Sequence, residues 1–277
     1  MLNAVKRLIP PPLKRWIKTD LKGKEKTRLF GSLAPLVPPV EAMFDGPQSL
    51  EAFKANGEEF LPIYKDICGL RSDERMLDVG CWIGRKTLPL TQYLTPDARY
   101  EGMDIARAGV EWCESRITPR FPNFRFRQID VYNKHYNPQG TCPPSRYRFP
   151  FDDGTFSFVM LGSVFTHMLP DDLSNYLSEV HRVLEKGGRC LITYFLLNEE
   201  SLRLVGAGKS SLDFTYTEDG YRTISRETPE LAIAFDADWI VGLYRKVGLE
   251  VARLDYGSWC GRDHYLSYQD HILAVKV

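Results

Sequence analysis

The chain predicts an open α/β sheet, doubly wound and mainly parallel, and three observations carry that prediction. Residues 76–86, MLDVGCWIGRK, run a short apolar strand into Asp78, turn at Gly80 and Gly84, and pass into an apolar helical pattern. Strand, glycine turn and helix start form a nucleotide-binding corner, because glycine lets a ligand approach backbone N–H groups at a helix N-terminus. Two later strands also end on carboxylates, Asp104 and Asp130, at intervals that suit successive strand–helix units. Finally, the last two strands follow each other with no room for a crossover helix, so they pair antiparallel.

The elements read as follows. Residues 1–46, basic and proline-rich, form an extension: two short amphipathic pieces split by Pro10–Pro12, then an irregular arm. Ser49 is an N-cap for a helix over SLEAFKANGEEFLPIYKDICGL, with Gly57 and Pro62 as points of bending or breakage. Strand Met76–Val79 precedes helix Lys86–Leu94; strand Tyr100–Met103 precedes helix Ala106–Arg116; strand Phe124–Ile129 leads into a long polar and aromatic loop, 132–150. Strand Phe156–Leu161 follows the DDG turn of Asp152 and Asp153, which read as turn formers. Residues 171–185 are the clearest helix, acidic at the start and stopped by Gly187–Gly188. Strand Arg189–Phe195, an aperiodic insertion 197–237, helix Trp239–Val247 and strands Leu249–Tyr256 and Asp270–Val277 complete the chain. Alternation of this kind implies right-handed crossovers in a parallel sheet.

At 277 residues and 43% hydrophobic content, the chain suits one large domain, 47–277, with an extension. The net charge of zero offers no global attraction to nucleic acid, yet residues 1–30 hold nine basic side chains against two acidic. That segment reads as a solvated tail or as a peripheral anchor on an anionic membrane, where each basic group contributes about 1 kcal/mol. Six scattered cysteines without a CxxC pair read as reduced thiols of a cytoplasmic protein. No run approaches the length of a membrane span, and no cluster has metal-ligand spacing.

Three carboxylates at strand ends disfavour a pyrophosphate and suit a cofactor with hydroxyls, an amino group and positive charge. LDVGCWIG, YEGMD, RQIDV and FPFDDGTFSFVMLGSVFTHML, with the helix ending LEKGGR, resemble the class I S-adenosylmethionine-dependent methyltransferases over residues 49–277, in particular their small-molecule branch. The resemblance implies a seven-stranded Rossmann-like sheet whose C-terminal strand is inserted antiparallel. It implies that Asp78, Gly80, Cys81 and Gly84 hold the methionine portion of S-adenosyl-L-methionine and that Asp104 accepts both ribose hydroxyls. Asp130 would accept from the adenine amino group, Val131 would touch the ring, Ile105 would pack on its face, and Leu161, Gly162 and Ser163 would line the sulfonium side. Trp82 stands where the D-x-G-x-G-x-G pattern has its middle glycine, so its indole points outward or lies over the cofactor.

Methyl transfer to a hydroxyl needs alignment and a base of near-neutral pKa. His167, just after the fourth strand, is the candidate; a role capping the next helix competes. His135 and His264 are candidates for the acceptor mouth, His181 and His271 for structural roles. The insertion 197–237 is a candidate lid, and Trp259, Arg262, Asp263, His264 and Tyr265 a second wall suited to a sugar or other hydroxylated acceptor. The expected activity is O-methylation of a small-molecule or glycan-like acceptor. A catalytically silent binding module and a NAD-dependent oxidoreductase are the alternatives.

Overall fold

The structure, a computed structural model, describes residues 23–43, 46 and 49–277. Pro10–Pro12 and the rest of residues 1–22 lie outside the described residues. Helix α1 (Gly23–Phe30) and two 3-10 turns, Gly31–Leu36 and Val40–Ala42, form the arm. Leu36, Val37, Ala42 and Met43 of this arm are buried against the main domain, and the Trp112 indole N–H donates to the Leu36 carbonyl at 3.2 Å. Helix α2 (Leu50–Pro62) is capped by Ser49, whose hydroxyl accepts from the Ala52 N–H at 3.1 Å. Gly57 does not break α2. A Cβ there would collide with the Arg85 carbonyl, so glycine is what lets the helix approach the loop after β1.

A seven-stranded sheet follows, from β1 (Arg75–Val79), β2 (Arg99–Asp104), β3 (Phe124–Gln128), β4 (Phe156–Leu161), β5 (Leu184–Tyr194), β10 (Leu249–Asp255) and β11 (Asp270–Lys276). Their order is β10-β11-β5-β4-β1-β2-β3, with β11 antiparallel to both neighbours and the other pairings parallel. Side chains alternate between two cores. Leu77, Val159 and Ile192 pack under α5 (Pro170–Val183) and α7 (Ala237–Val247); Met76, Phe158 and Leu191 pack under α2 and α4 (Arg107–Arg116). Burial on both faces is what a parallel sheet requires, and the order reverses between β1 and β4, where the fold opens a crevice.

Three expectations are corrected. The helix after β1, α3, spans only Thr87–Leu90 before relaxing into turns, in which the Gln92 and Tyr93 N–H groups bond three residues back to the Pro89 and Leu90 carbonyls. Helix α5 ends at Val183, ahead of the glycines, because fully buried Leu184 is extended and pairs with Phe156 as the start of β5; Gly187, at φ +77°, serves a bulge instead. The insertion is built from β6 (Leu196–Leu197), α6 (Glu199–Gly206), β7 (Tyr216–Glu218), β8 (Tyr221–Thr223) and β9 (Ile233–Asp236), which form a four-stranded sheet in the order β6-β9-β8-β7 beside α6. Strands of two to four residues are too short to show a period. Among the described residues no helix is long and apolar enough to cross a membrane.

The hairpin loop between β10 and β11 closes on itself. Asp270 accepts from the N–H groups of Leu196 at 2.6 Å and Gly257 at 2.7 Å, from the Trp259 indole at 2.7 Å and from Arg262 at 3.3 Å. Trp259 is fully buried on Phe195 and Phe214. The Leu196 bond ties the start of the insertion to β11.

Candidate active site

A cavity of about 340 Å³ lies at the carboxyl ends of β1, β2 and β4, the size and place expected of a small-ligand site. Its floor is built by the strands themselves. Asp78 lies within the buried run of β1, one residue before its end, and its carboxylate accepts from the Tyr100 hydroxyl at 2.6 Å. Because that hydroxyl donates to Asp78, the Thr87 hydroxyl, 2.8 Å away, is the one that donates to Tyr100. Burial holds the Asp78 carboxyl above its usual range, although the Tyr100 hydrogen bond and then the Lys86 ammonium act to lower it. Asp104 ends β2. One of its oxygens accepts from the Trp82 backbone N–H and the other from that of Ala106, each at 2.7 Å. These two bonds fix the carboxylate at the edge of the cavity.

The turn after β1 needs positive φ at Gly80 (82°) and Gly84 (81°), and it imposes one on Trp82 (46°). Ser163, at the end of β4, is left-handed too (64°). It is held there by its N–H donating to the Thr193 hydroxyl at 2.8 Å and its hydroxyl donating to Gln269 at 2.9 Å. These two are the non-glycine residues with positive φ among the described residues, and both line the cavity. Such strain, of order 1–3 kcal/mol each, concentrates at functional sites.

The upper wall comes from loops. Asn133 accepts at 2.9 Å from the N–H groups of both His135 and Tyr136, an Asx turn that sets Tyr132, Asn133 and Tyr136 on the cavity. Tyr136 meets His167 edge-on, with ring centroids 5.4 Å apart. His167 Nδ1 lies 2.8 Å from the Glu230 main-chain carbonyl. A carbonyl only accepts, so Nδ1 carries the proton and Nε2 of the neutral ring bears the lone pair. Lys134 donates to the Glu227 carbonyl at 2.6 Å, so the loop after β3 and the insertion meet over the site.

Asp78, Gly80, Cys81, Asp104, Ile105, Val131, Gly162, Ser163 and His167 therefore line one cavity. Three residues singled out in the sequence stand outside its lining. Gly84 packs against Cys113 and Ile117, Leu161 is fully buried in the core, and Asp130 is exposed with its carboxylate bonded to the Thr141 hydroxyl and N–H. His135 packs on Tyr136, outside the lining; His264 lines a separate groove with Arg253, Asp255 and Arg262, so the hairpin loop is not a wall of this site. Lys86, inside the glycine-turn motif but not singled out, also lines the cavity, and Tyr136, Asp172, Tyr176 and Glu230 reach it without any local sequence signal. Cys81 and Cys113 thiols are pushed well up by burial and by Asp104, so they are protonated and inert.

Strand order and glycine corner give the fold of the class I S-adenosylmethionine-dependent methyltransferases. Residues 77–192 match the family model described as a methyltransferase domain. A phthiotriol/phenolphthiotriol dimycocerosates methyltransferase of Mycobacterium ulcerans (strain Agy99) is 34% identical over 122 residues, 44% of this chain. The match spans only 38% of that relative's length. Among solved structures, the PH0226 protein of Pyrococcus horikoshii OT3 superposes with a TM-score of 0.57 at 17% identity, covering 83% of this chain and 92% of that one. The 1,6-didemethyltoxoflavin-N1-methyltransferase of Burkholderia thailandensis, solved with S-adenosylhomocysteine, gives 0.53 at 17% identity over 80% of each chain. The residues present fit the cofactor: the carboxylates of Asp78 and Asp104 line the cavity, and Gly80 and Gly162 bring backbone to it without side chains.

Proposed function

We propose that the chain transfers the methyl group of S-adenosylmethionine to a hydroxyl of a small-molecule or glycan-like acceptor. The observation that carries this reading is that one cavity joins Asp104 to a histidine whose tautomer is fixed by the Glu230 carbonyl. In this reading Asp78 and the Gly80–Cys81 backbone hold the methionine end, Asp104 the ribose, Ile105 and Val131 the adenine, and Gly162 and Ser163 the sulfonium side. Gly84 supports the turn from behind, and Leu161 supports the strand end. Asp130 would reach an adenine amino group by exchanging its bond from Thr141. Bound there, S-adenosylmethionine would supply an electrophilic methyl carbon. His167 Nε2 takes the hydroxyl proton as the oxygen attacks, and the Glu230 carbonyl holds the Nδ1–H of the imidazolium that forms. The Tyr132, Tyr136 and Tyr176 rings shield the acceptor from water.

The matching experiment follows S-adenosylhomocysteine release over a panel of phenols, polyols and glycans. His167→Gln lowers transfer about 10²–10⁴-fold, the span of a lost general base, with cofactor affinity unchanged. Full activity in that variant removes His167 from the mechanism. A silent binding module is the second reading, favoured by the strained Trp82 in the cofactor turn; tight cofactor binding with no transfer across the panel selects it. The basic segment 1–30 supports peripheral contact with an anionic membrane, tested by vesicle co-sedimentation with and without those residues.

A further inference from the structure

We propose that Asp172 and Glu230 make the acceptor end of the cavity a receptor for an ammonium group, so that the hydroxyl to be methylated belongs to a hydroxylated amine. This rests on the hydroxyl transfer proposed above and narrows its acceptor. Asp172 is the third residue of α5, and Glu230 lies in the 3-10 turn Pro229–Leu231 of the insertion. Both line the cavity with His167, Tyr132 and Tyr176. The main-chain carbonyl of Glu230 accepts from His167 Nδ1 at 2.8 Å, so the residue that orients the base also carries one of the two carboxylates. An ammonium on that carboxylate therefore stands within a few bonds of a hydroxyl at the base.

The charge at this end is one-sided. The Glu230 Oε2 atom is buried and has no hydrogen-bond partner among the described residues. A carboxylate oxygen in that state is destabilised, and an ammonium donor would satisfy it. Burial holds the Asp172 carboxyl above its usual range; the backbone N–H groups of Leu169 and Ser145 steady it, and the charges of Glu230 and Asp171, both negative, push it further up. Arg85 and Lys86, the lysine and arginine of the lining, belong to the turn after β1 at the cofactor end. Carboxylates beside tyrosine rings attract a cation through charge-assisted hydrogen bonds and through the ring faces. Held there, an amine stays protonated and has no lone pair for the methyl carbon, so attack falls to the hydroxyl. The oxygen–methyl bond forms as the sulfur–methyl bond breaks, and the hydroxyl proton passes to His167 Nε2. The products are a methyl ether with its amine unmethylated and S-adenosylhomocysteine.

The test follows S-adenosylhomocysteine release by the full chain with matched acceptors, glucosamine against glucose and tyramine against para-ethylphenol, and locates the new methyl group by mass spectrometry. The native chain has a kcat/KM for the amine about tenfold or more above that for its neutral match, in line with a charged hydrogen bond. Asp172→Asn keeps an acceptor for the Leu169 N–H, and Glu230→Gln keeps the main-chain carbonyl on His167. Each variant lowers the amine preference about tenfold, mainly through KM, while calorimetry shows unchanged affinity for S-adenosylmethionine. Equal use of amine and neutral match by the native chain overturns the proposal and leaves the hydroxyl reading standing. Weaker S-adenosylmethionine binding in the variants with the amine preference intact also overturns it, assigning the carboxylates to the sulfonium. Methyl groups found on nitrogen, or transfer to no acceptor of the panel, bring down the hydroxyl reading itself and the proposal with it.

Discussion

Trp82 shows how much a single residue reveals about the site. It occupies a left-handed backbone position that glycine would fill at no cost, its N–H is committed to Asp104, and its side chain forms part of the cavity wall. Trp82→Ala keeps the strain and removes the indole, while Trp82→Gly removes both. We therefore expect the glycine variant to be more stable than the alanine variant by about 1 kcal/mol in chemical denaturation, with both binding S-adenosylmethionine less tightly than the native chain. An alanine variant as stable as the glycine one would contradict the left-handed assignment. Asp78 and Asp104 were readable in the sequence because strand, terminal carboxylate and glycine turn are contiguous. Tyr136 and Glu230 were not, because what brings them to the cavity is packing between distant segments; His167 and Glu230 are 63 residues apart.

At the scale of elements, β11 carries the most distinctive electrostatics. His271 is buried in it, stacked on Phe60 at 5.7 Å and bonded through Nε2 to the Ser267 hydroxyl at 2.6 Å. Burial pushes its pKa down to about 4, the Lys86 charge adds to the effect, and Asp255 opposes it. The folded chain therefore binds fewer protons here than the unfolded chain between about pH 6.5 and 4, and stability falls as the pH drops through that window. The neighbouring Asp270, raised by burial to about 6, acts in the opposite sense over an overlapping range. Comparing native and His271→Leu chains cancels the Asp270 contribution. The variant should lose about 3 kcal/mol less than the native chain between pH 7 and 4, and parallel pH–stability profiles would refute this. The main strands and α5 were legible from their periodicity and burial, whereas the insertion was not. Its strands are short, and their partners are set by β6 and β9 meeting across the whole insertion.

For the molecule as a whole, the sheet order places the reversal between β1 and β4 directly beneath the cavity, so the cofactor corner and His167 share one site. The insertion and the loop after β3 close that site from above, while the arm packs along α4. The doubly wound sheet with its antiparallel final pair was legible because chain length between strands decides which pairings are possible. The place of the hairpin loop was not, since the Asp270–Arg262–Trp259 bonds that turn it from the cavity join residues whose charges and aromatics read locally as a ligand wall. The central claim is that this cavity binds S-adenosylmethionine. Titrating the full chain with S-adenosylmethionine and, separately, with NAD tests it most directly. The prediction is saturable one-to-one binding of S-adenosylmethionine, lost in Asp104→Ala, and no binding of NAD; saturation by NAD without S-adenosylmethionine binding would contradict it.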